Sequence, residues 1–495
     1  MDLETPSRLS DEMVNFSLLH PTAASILTPR LGSLAVAGRK AIPTPNYTPL
    51  TSRGAVPHVA HDMMRSQTAI GSLYFGLEDF MQQQNKNSFP IYQTPTGPHE
   101  SALRKFTCFP DELVLILGPR RVPPIATPPT NTANSIAVMT SFGFRQLEAN
   151  QYTEAVQKLR PDIVVGLADL VPGQQPGFKR RGKMVDRTHA FTMHATDQLY
   201  GQAVPEECRS KAAYFAPVLP LENTQQMLYL DELERDLRPY VSGLALYESA
   251  SLSILPESLG GLPRLLFSEP ATPHDILREV SLGADLVTVP FVGTCSDAGI
   301  GLDFIFPSHA SSGSIAEEAR PLGFDLWSST YTSDTKPLVE GCQCYSCRKH
   351  HRAYIHHLLT AKEMLAWTLL QIHNLHTMDT FFSRIRESIQ CGTFDTDVQT
   401  FQRFYTSQLP AQTGQGPRLR GHQVTPSSAN QPRRNPRAFG RLDDALEKFA
   451  ESQSSLATPD TDADGLEAHG FAEKQRLSTI EIHTKAVMII IGNNN

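Results

Sequence analysis

Short apolar segments alternate with helical patterns along the middle of the chain. Strand-like runs lie at residues 113–117, 136–140, 163–167, 241–246, 264–267, 286–289 and 304–306, and helical spacing of apolar residues recurs at 151–159, 224–237 and 275–282. Alternation on this scale predicts parallel strands joined by crossover helices. An α/β fold of the (β/α)8, TIM-barrel type fits the number of segments. A doubly wound open sheet is the competing prediction, but no Gly-x-Gly-x-x-Gly motif follows an early strand to favour it.

The N-terminal part of the chain has a different pattern. Residues 1–29 predict a flexible leader, and residues 31–49 predict a hairpin that enters the fold. The folded region is therefore expected to extend over residues 30–408.

Beyond that region the composition changes. Residues 410–441 contain six arginines and no acidic residue, and residues 443–473 are acidic. Because neither stretch has a core-forming pattern, residues 409–495 are expected to form a low-complexity, mostly disordered C-terminal tail. The arginine-rich stretch predicts either a solvated linker or a contact with RNA or another anionic surface. The apolar run at 487–491 either packs as a strand or has no structural role.

Length and composition predict a large soluble protein. The 495 residues are 40% hydrophobic, which is enough for a sizeable core. No apolar run reaches membrane-spanning length, and the acidic N-terminus lacks the apolar core of a signal peptide. The net charge of -7 argues against a general nucleic-acid-binding protein but leaves room for a local basic patch.

Three of the seven cysteines fall within six residues, at Cys342, Cys344 and Cys347. In a chain without a secretory signal, this cluster predicts a metal site rather than disulfides. A zinc ion takes four tetrahedral ligands, so the fourth should come from the next element, a helix predicted at about 353–378. The spacing leaves four candidate residues open for that position: His356, His357, His373 and His376.

The same segment resembles the zinc segment of the tRNA-guanine transglycosylases, which are the queuine tRNA-ribosyltransferases. The resemblance is carried by the three cysteines, by the stretch from His350 to Leu359, by Glu363-Met364-Leu365-Ala366 and by His373-Asn374, and it extends over about 30–405. It implies a barrel with an inserted zinc-binding subdomain at about 335–390. It also implies one structural Zn²⁺ per chain, with His373 as the fourth ligand.

The family exchanges guanine for queuine at the wobble position of the tRNA anticodon, in the queuosine modification. This reaction needs a carboxylate nucleophile and a second carboxylate that manages protons. The resemblance places Thr288 at the nucleophile position and Thr140 at the position of the second carboxylate. It also places Ala168 and Asp169 at the acidic pair that grips the base, and Ser242-Gly243-Leu244-Ala245 at the base-binding Gly-Gly-Leu-Ala. The expected scaffold is therefore present, but most of the ionisable chemistry is missing.

Three other carboxylates could replace the missing ones. We expect Asp285 to cap the preceding helix or to bond locally, because an odd offset from Thr288 on a strand faces the opposite side. Asp297 is expected in the following loop, within reach of the barrel mouth, and Glu269 is expected to line that mouth. Two function classes result: a non-catalytic subunit with no catalytic residue, and an active transglycosylase that uses an atypical carboxylate.

A basic segment follows the acidic pair. Its five cations are Lys179, Arg180, Arg181, Lys183 and Arg187. The segment is predicted to be a loop that contacts tRNA phosphates, and a solvated surface loop is the alternative.

Because threonines stand at two carboxylate positions, the chain resembles the non-catalytic paralogue that eukaryotic enzymes of this family pair with a catalytic subunit. The resemblance implies a heterodimer with that subunit, binding of tRNA, and a cytoplasmic location with peripheral association with the mitochondrial outer membrane. It also implies an interface formed by the zinc-module helices at about 358–372. The alternative is that the leucines of those helices are only core.

Overall fold

The computed structural model describes residues 13–20, 27–81, 89–98, 100–127, 131–140, 143–173, 175–308 and 319–417. The arginine-rich and acidic stretches from residue 418 onwards, including the apolar run at 487–491, lie outside the described residues, as does most of the predicted leader. Among the helices that the structure describes, none has the length and apolar character needed to cross a membrane.

An antiparallel three-stranded sheet opens the fold. It consists of β1 (Val14–His20), β2 (Leu31–Val36) and β3 (Ile42–Thr44), in that order. The predicted hairpin is present as β2 and β3. The predicted flexible leader is wrong for Val14–His20, which pair with β2 as strand β1.

Eight parallel strands form the barrel. They are β4 (Asn46–Thr48), β5 (Ser72–Gly76), β6 (Val114–Gly118), β9 (Ile163–Val165), β10 (Ala213–Val218), β11 (Val241–Leu246), β12 (Arg264–Leu266) and β13 (Leu286–Thr288). Their main-chain pairing follows the order β4-β13-β12-β11-β10-β9-β6-β5. The ring closes between β4 and β5, where Tyr74 N donates to Pro49 O at 3.1 Å and Thr51 N donates to Tyr74 O at 3.1 Å. The TIM-type barrel is therefore confirmed, and the open sheet is not formed.

The period of two along each barrel strand separates an inner core from an outer one. On β6, Val114 and Ile116 pack inside the barrel, while Leu115 and Leu117 pack outward. The inner core is completed by four apolar side chains of the three-stranded sheet, namely Val14, Leu34, Val36 and Ile42. This sheet covers the end of the barrel at which the strands begin, because Ile42 packs against Gly71, just before β5.

Eleven α-helices are found in the described residues. They are α1 (His61–Gln67), α2 (Ala102–Thr107), α3 (Ala149–Leu159), α4 (Phe178–Tyr200), α5 (Asn223–Arg235), α6 (Pro273–Ser281), α7 (Pro290–Ala298), α8 (Tyr345–Lys349), α9 (Arg352–Thr360), α10 (Met364–Cys391) and α11 (Phe394–Phe404). Short 3-10 helices lie at Leu77–Phe80, Pro90–Gln93, Glu206–Cys208, Ser249–Ile254, Glu257–Leu259 and Ser329–Tyr331. The three helices predicted between strands correspond to α3, α5 and α6.

The apolar run at 136–140 is a strand, but it is not part of the barrel. It is β7 (Ser135–Thr140), which forms an antiparallel hairpin with β8 (Gly143–Glu148). At the other edge of β7, side chains form the hydrogen bonds to the main chain. Arg120 donates to Ala137 O at 2.8 Å, and Met139 N donates to a Glu78 carboxylate oxygen at 2.7 Å. Because these side chains replace a neighbouring strand, the apolar pattern alone did not reveal the difference.

Two further predictions need correction. Residues 304–306 form no strand; Phe304 and Phe306 instead pack edge-on against Phe381 of α10. The preceding strand is β14 (Ile300–Leu302), which pairs with β15 (Gly323–Asp325). The single helix predicted at 353–378 is broken between α9 and α10, where Lys362 has a left-handed φ of 57°.

A second, smaller core lies in the region predicted as the zinc subdomain. It is formed by residues of α8, α9 and the first turns of α10, together with Leu326 and Leu338. The later turns of α10 pack on the outer core of the barrel instead. Helix α10 therefore belongs to both cores and joins them.

The chain after α11 does not leave the fold at residue 408. Thr413 Oγ1 donates to a carboxylate oxygen of Asp325 in β15. Gly414 packs so closely on Trp327 that a Cβ atom there would lie 2.1 Å from the ring, and one at Gly416 would lie 3.1 Å from Asp297 O. We call residues 409–417 the C-terminal strap. They were predicted as the start of the disordered tail.

A buried ion pair ties the N-terminal sheet to the barrel. Arg30, just before β2, donates through Nε to Asp285 Oδ1 at 2.8 Å and pairs with its other carboxylate oxygen. Arg264 N donates to Asp285 Oδ2 at 2.8 Å, and the side chains of Arg30 and Asp285 are 2% and 0% exposed. The expectation of a local helix cap for Asp285 is wrong. Its partners are a neighbouring strand and a residue that is distant in the chain.

We expect Asp285→Asn to lower the free energy of unfolding by about 3–5 kcal/mol, because the change leaves Arg30 buried without its counter-charge. Burial and the charge of Arg30 already lower the pKa of the neighbouring Arg264 to about 10. Urea unfolding measures the loss. In the control, Lys105→Ala removes a solvent-exposed pair with Glu100 and should lower stability far less. Equal stability of the two variants would contradict the assignment.

Candidate functional site

The three clustered cysteines are arranged by a short turn before α8. Cys344 is the N-cap of that helix, and its Sγ accepts a hydrogen bond from Cys347 N at 3.3 Å. Ser346 Oγ donates to Leu369 O at 2.6 Å, which fixes the turn against α10. The cysteine turn therefore faces the helix that carries His373.

Cys342, Cys344, Cys347 and His373 form a group that could hold a metal ion. The distances from His373 Nδ1 to the three sulfur atoms are 3.7, 3.5 and 3.4 Å, in the order of the chain. All four ligand atoms lie within 4.8 Å of one another. Of the other candidate histidines, His356 directs Nδ1 to Leu326 O at 2.7 Å, outside the group.

Main-chain contacts orient the His373 ring. Its Nε2 lies 2.8 Å from Leu302 O, so that Nε2 donates and Nδ1 is directed to the sulfur atoms. Asn374 accepts from Leu302 N at 2.9 Å and donates to Ile300 O at 3.0 Å. The His-Asn pair therefore holds the cluster on β14.

The charge balance of the cluster suits a cation. Burial works to lower the pKa of His373, but Cys342 and Cys344 raise it to about 10. A metal cation binds thiolates and a neutral imidazole, so its binding to this cluster would release protons.

The resemblance places family carboxylates at Thr288, at the carboxyl end of barrel strand β13, and at Thr140, at the end of β7 outside the barrel. Thr288 ends β13 and is fully buried, with its Oγ1 donating to Leu266 O at 3.3 Å. Thr140 ends β7 and is also fully buried, with its Oγ1 donating to Gly143 O at 2.8 Å. Both hydroxyls therefore bond to main-chain carbonyls.

The retained carboxylate, Asp169, is held by three side chains. Arg180 donates to both of its oxygens, at 2.6 and 2.5 Å, and Asn131 and Arg187 donate at 2.6 and 3.1 Å. Burial works to raise the pKa of Asp169, but the hydrogen bonds from Arg180 and Asn131 bring it below its usual value. Asp169 is therefore an ionised anchor inside the protein. Its neighbour Ala168 lines the large cavity described next.

A cavity of about 700 Å³ opens at this end of the barrel. Tyr74, Tyr247 and Phe267 form an aromatic wall, in which the Tyr247 and Phe267 rings stack at 5.5 Å between centroids. Residues 242–245, which the resemblance placed at the base-binding motif, lie buried within β11 and do not line it. Directly after β11, Tyr247 and Glu248 line the cavity; the sequence did not predict these two lining residues.

The two carboxylates considered for the mouth differ in their surroundings. Asp297 lies on α7 rather than in a loop, and its Oδ1 is 2.5 Å from His58 Nε2. It lines a smaller cavity of about 220 Å³ beside the first. Glu269 lines the large cavity, has a left-handed φ of 56°, and partial burial raises the pKa of its carboxyl.

A charged network at the mouth was not predicted. Arg121, which follows β6, pairs with Glu78 at 2.9 Å and with Asp79 at 3.2 Å. Both acids follow β5. The chain offered a clue, because charged residues directly after two buried strands meet at the same edge of a parallel sheet.

The basic segment is not a loop but the first turns of α4. Arg180 and Arg187 are bonded to Asp169, and Arg181 Nε donates to Pro176 O at 3.0 Å. Lys179 and Lys183 are exposed. The structure therefore separates the five predicted tRNA-contacting cations into a bonded group and an exposed pair.

The leucines predicted for an interface are mostly core. Leu358 is 7% exposed, and Leu359, Leu369 and Ile372 are fully buried. Exposed apolar residues of the same subdomain are Met364, at 61%, and Leu365, at 43%.

Comparison with known proteins gives a consistent result. Residues 26–407 match the sequence profile of the family described as queuine tRNA-ribosyltransferase. A protein of Schizosaccharomyces pombe is 34% identical over 87% of this chain and 92% of its own length. One from Drosophila pseudoobscura is 30% identical over 73% and 86%, and one from Xenopus tropicalis is 27% identical over 76% and 96%. All three bear the name "Queuine tRNA-ribosyltransferase accessory subunit 2".

We expect the purified chain to bind one divalent metal ion and Cys344→Ala to lose it. The variant should also lose several kcal/mol of stability, since the energy of metal binding is folding energy. Metal analysis and thermal unfolding give the two results. Cys391→Ala is the matched control, because this cysteine is exposed and lies outside the cluster. Full metal content in Cys344→Ala would refute the ligand set.

Proposed function

This chain belongs to the queuine tRNA-ribosyltransferase family, and on that basis we propose that it is a non-catalytic, zinc-binding accessory subunit. In this role it supports tRNA binding and an active partner during the exchange of guanine for queuine at the anticodon wobble position. The observation that carries the proposal is the state of the carboxylate positions. Thr140 and Thr288 replace two of them, and Asp169 is bonded to arginines.

The geometry of the metal group supports zinc. Tetrahedral zinc has sulfur at about 2.3 Å and nitrogen at about 2.0 Å, so a sulfur and a nitrogen ligand lie about 3.5 Å apart. The distances from His373 Nδ1 to the sulfur atoms are 3.4–3.7 Å. Four protein ligands leave no open position for substrate, so we assign the ion a structural role that ties the cysteine turn to α10.

Loss of the carboxylates removes the covalent step. The family's intermediate needs an ionised oxygen that attacks the ribose anomeric carbon, and a threonine hydroxyl without a base is a poor nucleophile. At Thr288 the hydroxyl bonds to a main-chain carbonyl, which is no general base. Asp285 cannot replace it, because it is buried with Arg30 at the start of β13.

A second candidate function rests on Glu269. This carboxylate lines the large cavity, and its left-handed φ is a strained conformation of the kind found at functional sites. An active transglycosylase with Glu269 as an atypical nucleophile is therefore the alternative.

We expect the isolated chain to incorporate no labelled guanine into tRNA above the background without enzyme. Mixing with a catalytic subunit should restore exchange, and Glu269→Gln should leave the activity of the mixture unchanged. Asp297→Asn tests the other candidate carboxylate in the same exchange assay. Exchange by the chain alone that disappears in Glu269→Gln would establish the atypical enzyme and end the accessory proposal.

We propose that the partner is a catalytic queuine tRNA-ribosyltransferase subunit and that the two chains form a heterodimer. The support is a complete barrel with emptied carboxylate positions, together with relatives that are named accessory subunits. On the family resemblance we further propose a cytoplasmic location, peripheral on the mitochondrial outer membrane. Digestion of the chain by protease added to intact mitochondria tests that location.

The exposed apolar pair on α10 is the proposed contact with the partner. Met364→Glu should weaken pairing by about tenfold or more, because it places a charge in an apolar interface. Gel filtration of the two chains at micromolar concentration measures pairing. Leu228→Glu is the control, since Leu228 is 79% exposed on α5.

Zinc content must stay unchanged in Met364→Glu for the result to count. Leu359 is unsuitable for this test, because a charge there would disrupt the small core. If wild-type chains elute separately, the accessory proposal fails. If Met364→Glu pairs like the wild type, the interface lies elsewhere.

A further inference from the structure

Phe178 is a large apolar side chain that is exposed to solvent. It opens helix α4 and is 83% exposed, the highest fraction among the large apolar side chains of the described residues. Two neighbours in the chain, Pro176 and Arg181, line the large cavity at the barrel mouth. Phe178 therefore lies between two cavity-lining residues in the chain, with its own side chain in solvent.

Exposed cations follow the ring directly. Lys179 and Lys183 are both exposed and lie four residues apart, so their side chains lie on the same side of the helix. Lys179, Arg180 and Arg181 all fall near the start of α4, which has no acid in its first turn. Cations at that end oppose the helix dipole and lower helix stability. Helix stability therefore does not account for this arrangement of charge.

The first turns of α4 are held in place from inside the protein. Arg180 and Arg187 both bond to the buried Asp169 and lie about one helical turn before and one turn after Lys183. Asp169 N in turn donates to Thr188 Oγ1 at 3.0 Å. The ring and the two lysines are thus presented on a fixed support, which reduces the entropy lost on binding a ligand.

We propose that Phe178 is a stacking platform for an unpaired base of an RNA loop, with Lys179 and Lys183 contacting the phosphates beside it. Single-stranded loops are recognised in this way, by aromatic rings that stack on splayed bases and by cations that follow the backbone. A base-paired helix offers no free base face to such a ring. The two lysines favour a polyanion over an apolar protein surface. The inference rests on the proposed function, since it specifies how the accessory chain would hold the anticodon loop.

The test measures binding of the full-length chain to a fluorescent anticodon stem–loop RNA and to a blunt duplex of the same length. We expect the wild type to prefer the stem–loop and Phe178→Ala to bind it about 5- to 100-fold more weakly. Phe178→Trp should keep affinity, and its added tryptophan fluorescence should be quenched by the loop RNA. Leu228→Ala is the matched control, because it removes a side chain that is 79% exposed on α5 and should bind like the wild type.

The salt dependence of RNA affinity distinguishes the contribution of the Phe178 ring from that of the lysines. Log affinity falls linearly with log salt concentration. Lys179→Ala should make this slope shallower by about 1, whereas Phe178→Ala should leave the slope unchanged. Unchanged stem–loop affinity in Phe178→Ala, or equal binding of stem–loop and duplex by the wild type, would overturn the inference. So would a Phe178→Ala variant that fails only in pairing with the catalytic subunit. Pairing and exchange are measured separately, so the accessory proposal stands or falls on them alone.

Discussion

The main-chain hydrogen bonds between β4 and β5 determine the geometry on which the rest of this structure depends. They close eight parallel strands into a ring, and closure brings the carboxyl ends of all eight to one mouth. Thr288, Asp169 and Glu269 are distant in the chain but share that mouth as a result. The other end of the ring is filled by the N-terminal sheet and fastened by Arg30 and Asp285. The large cavity opens at the opposite end of the ring.

Asp169 is a buried carboxylate that positions a surface helix. The family resemblance places Ala168 and Asp169 at a pair of acids that grip the base. The remaining carboxylate bonds to Arg180 and Arg187 and so fastens the start of α4. This buried charge therefore positions the helix surface beside the cavity.

The sequence was sufficient where a local pattern has one physical solution. Alternating apolar runs predicted the barrel, and three cysteines in six residues predicted a metal group. The spacing could not choose among four histidines, because that choice depends on Leu302 O and Asn374, which fix the His373 ring from another strand. The run at 136–140 was placed in the barrel for a similar reason. Its main chain is satisfied by Glu78 and Arg120, and such side-chain partners leave no mark on apolar periodicity.

The C-terminal strap has a practical consequence for anyone who shortens this protein. A boundary at residue 408 agrees with the change in composition, but it would remove Gly414 from the face of Trp327 and Thr413 from Asp325. The uncovered indole would expose apolar surface beside the small core and favour aggregation. A truncation after Pro417 keeps these contacts and removes only the compositionally biased sequence beyond them. The end of the folded region is therefore set by the packing of Gly414 on the Trp327 ring, which composition alone does not indicate.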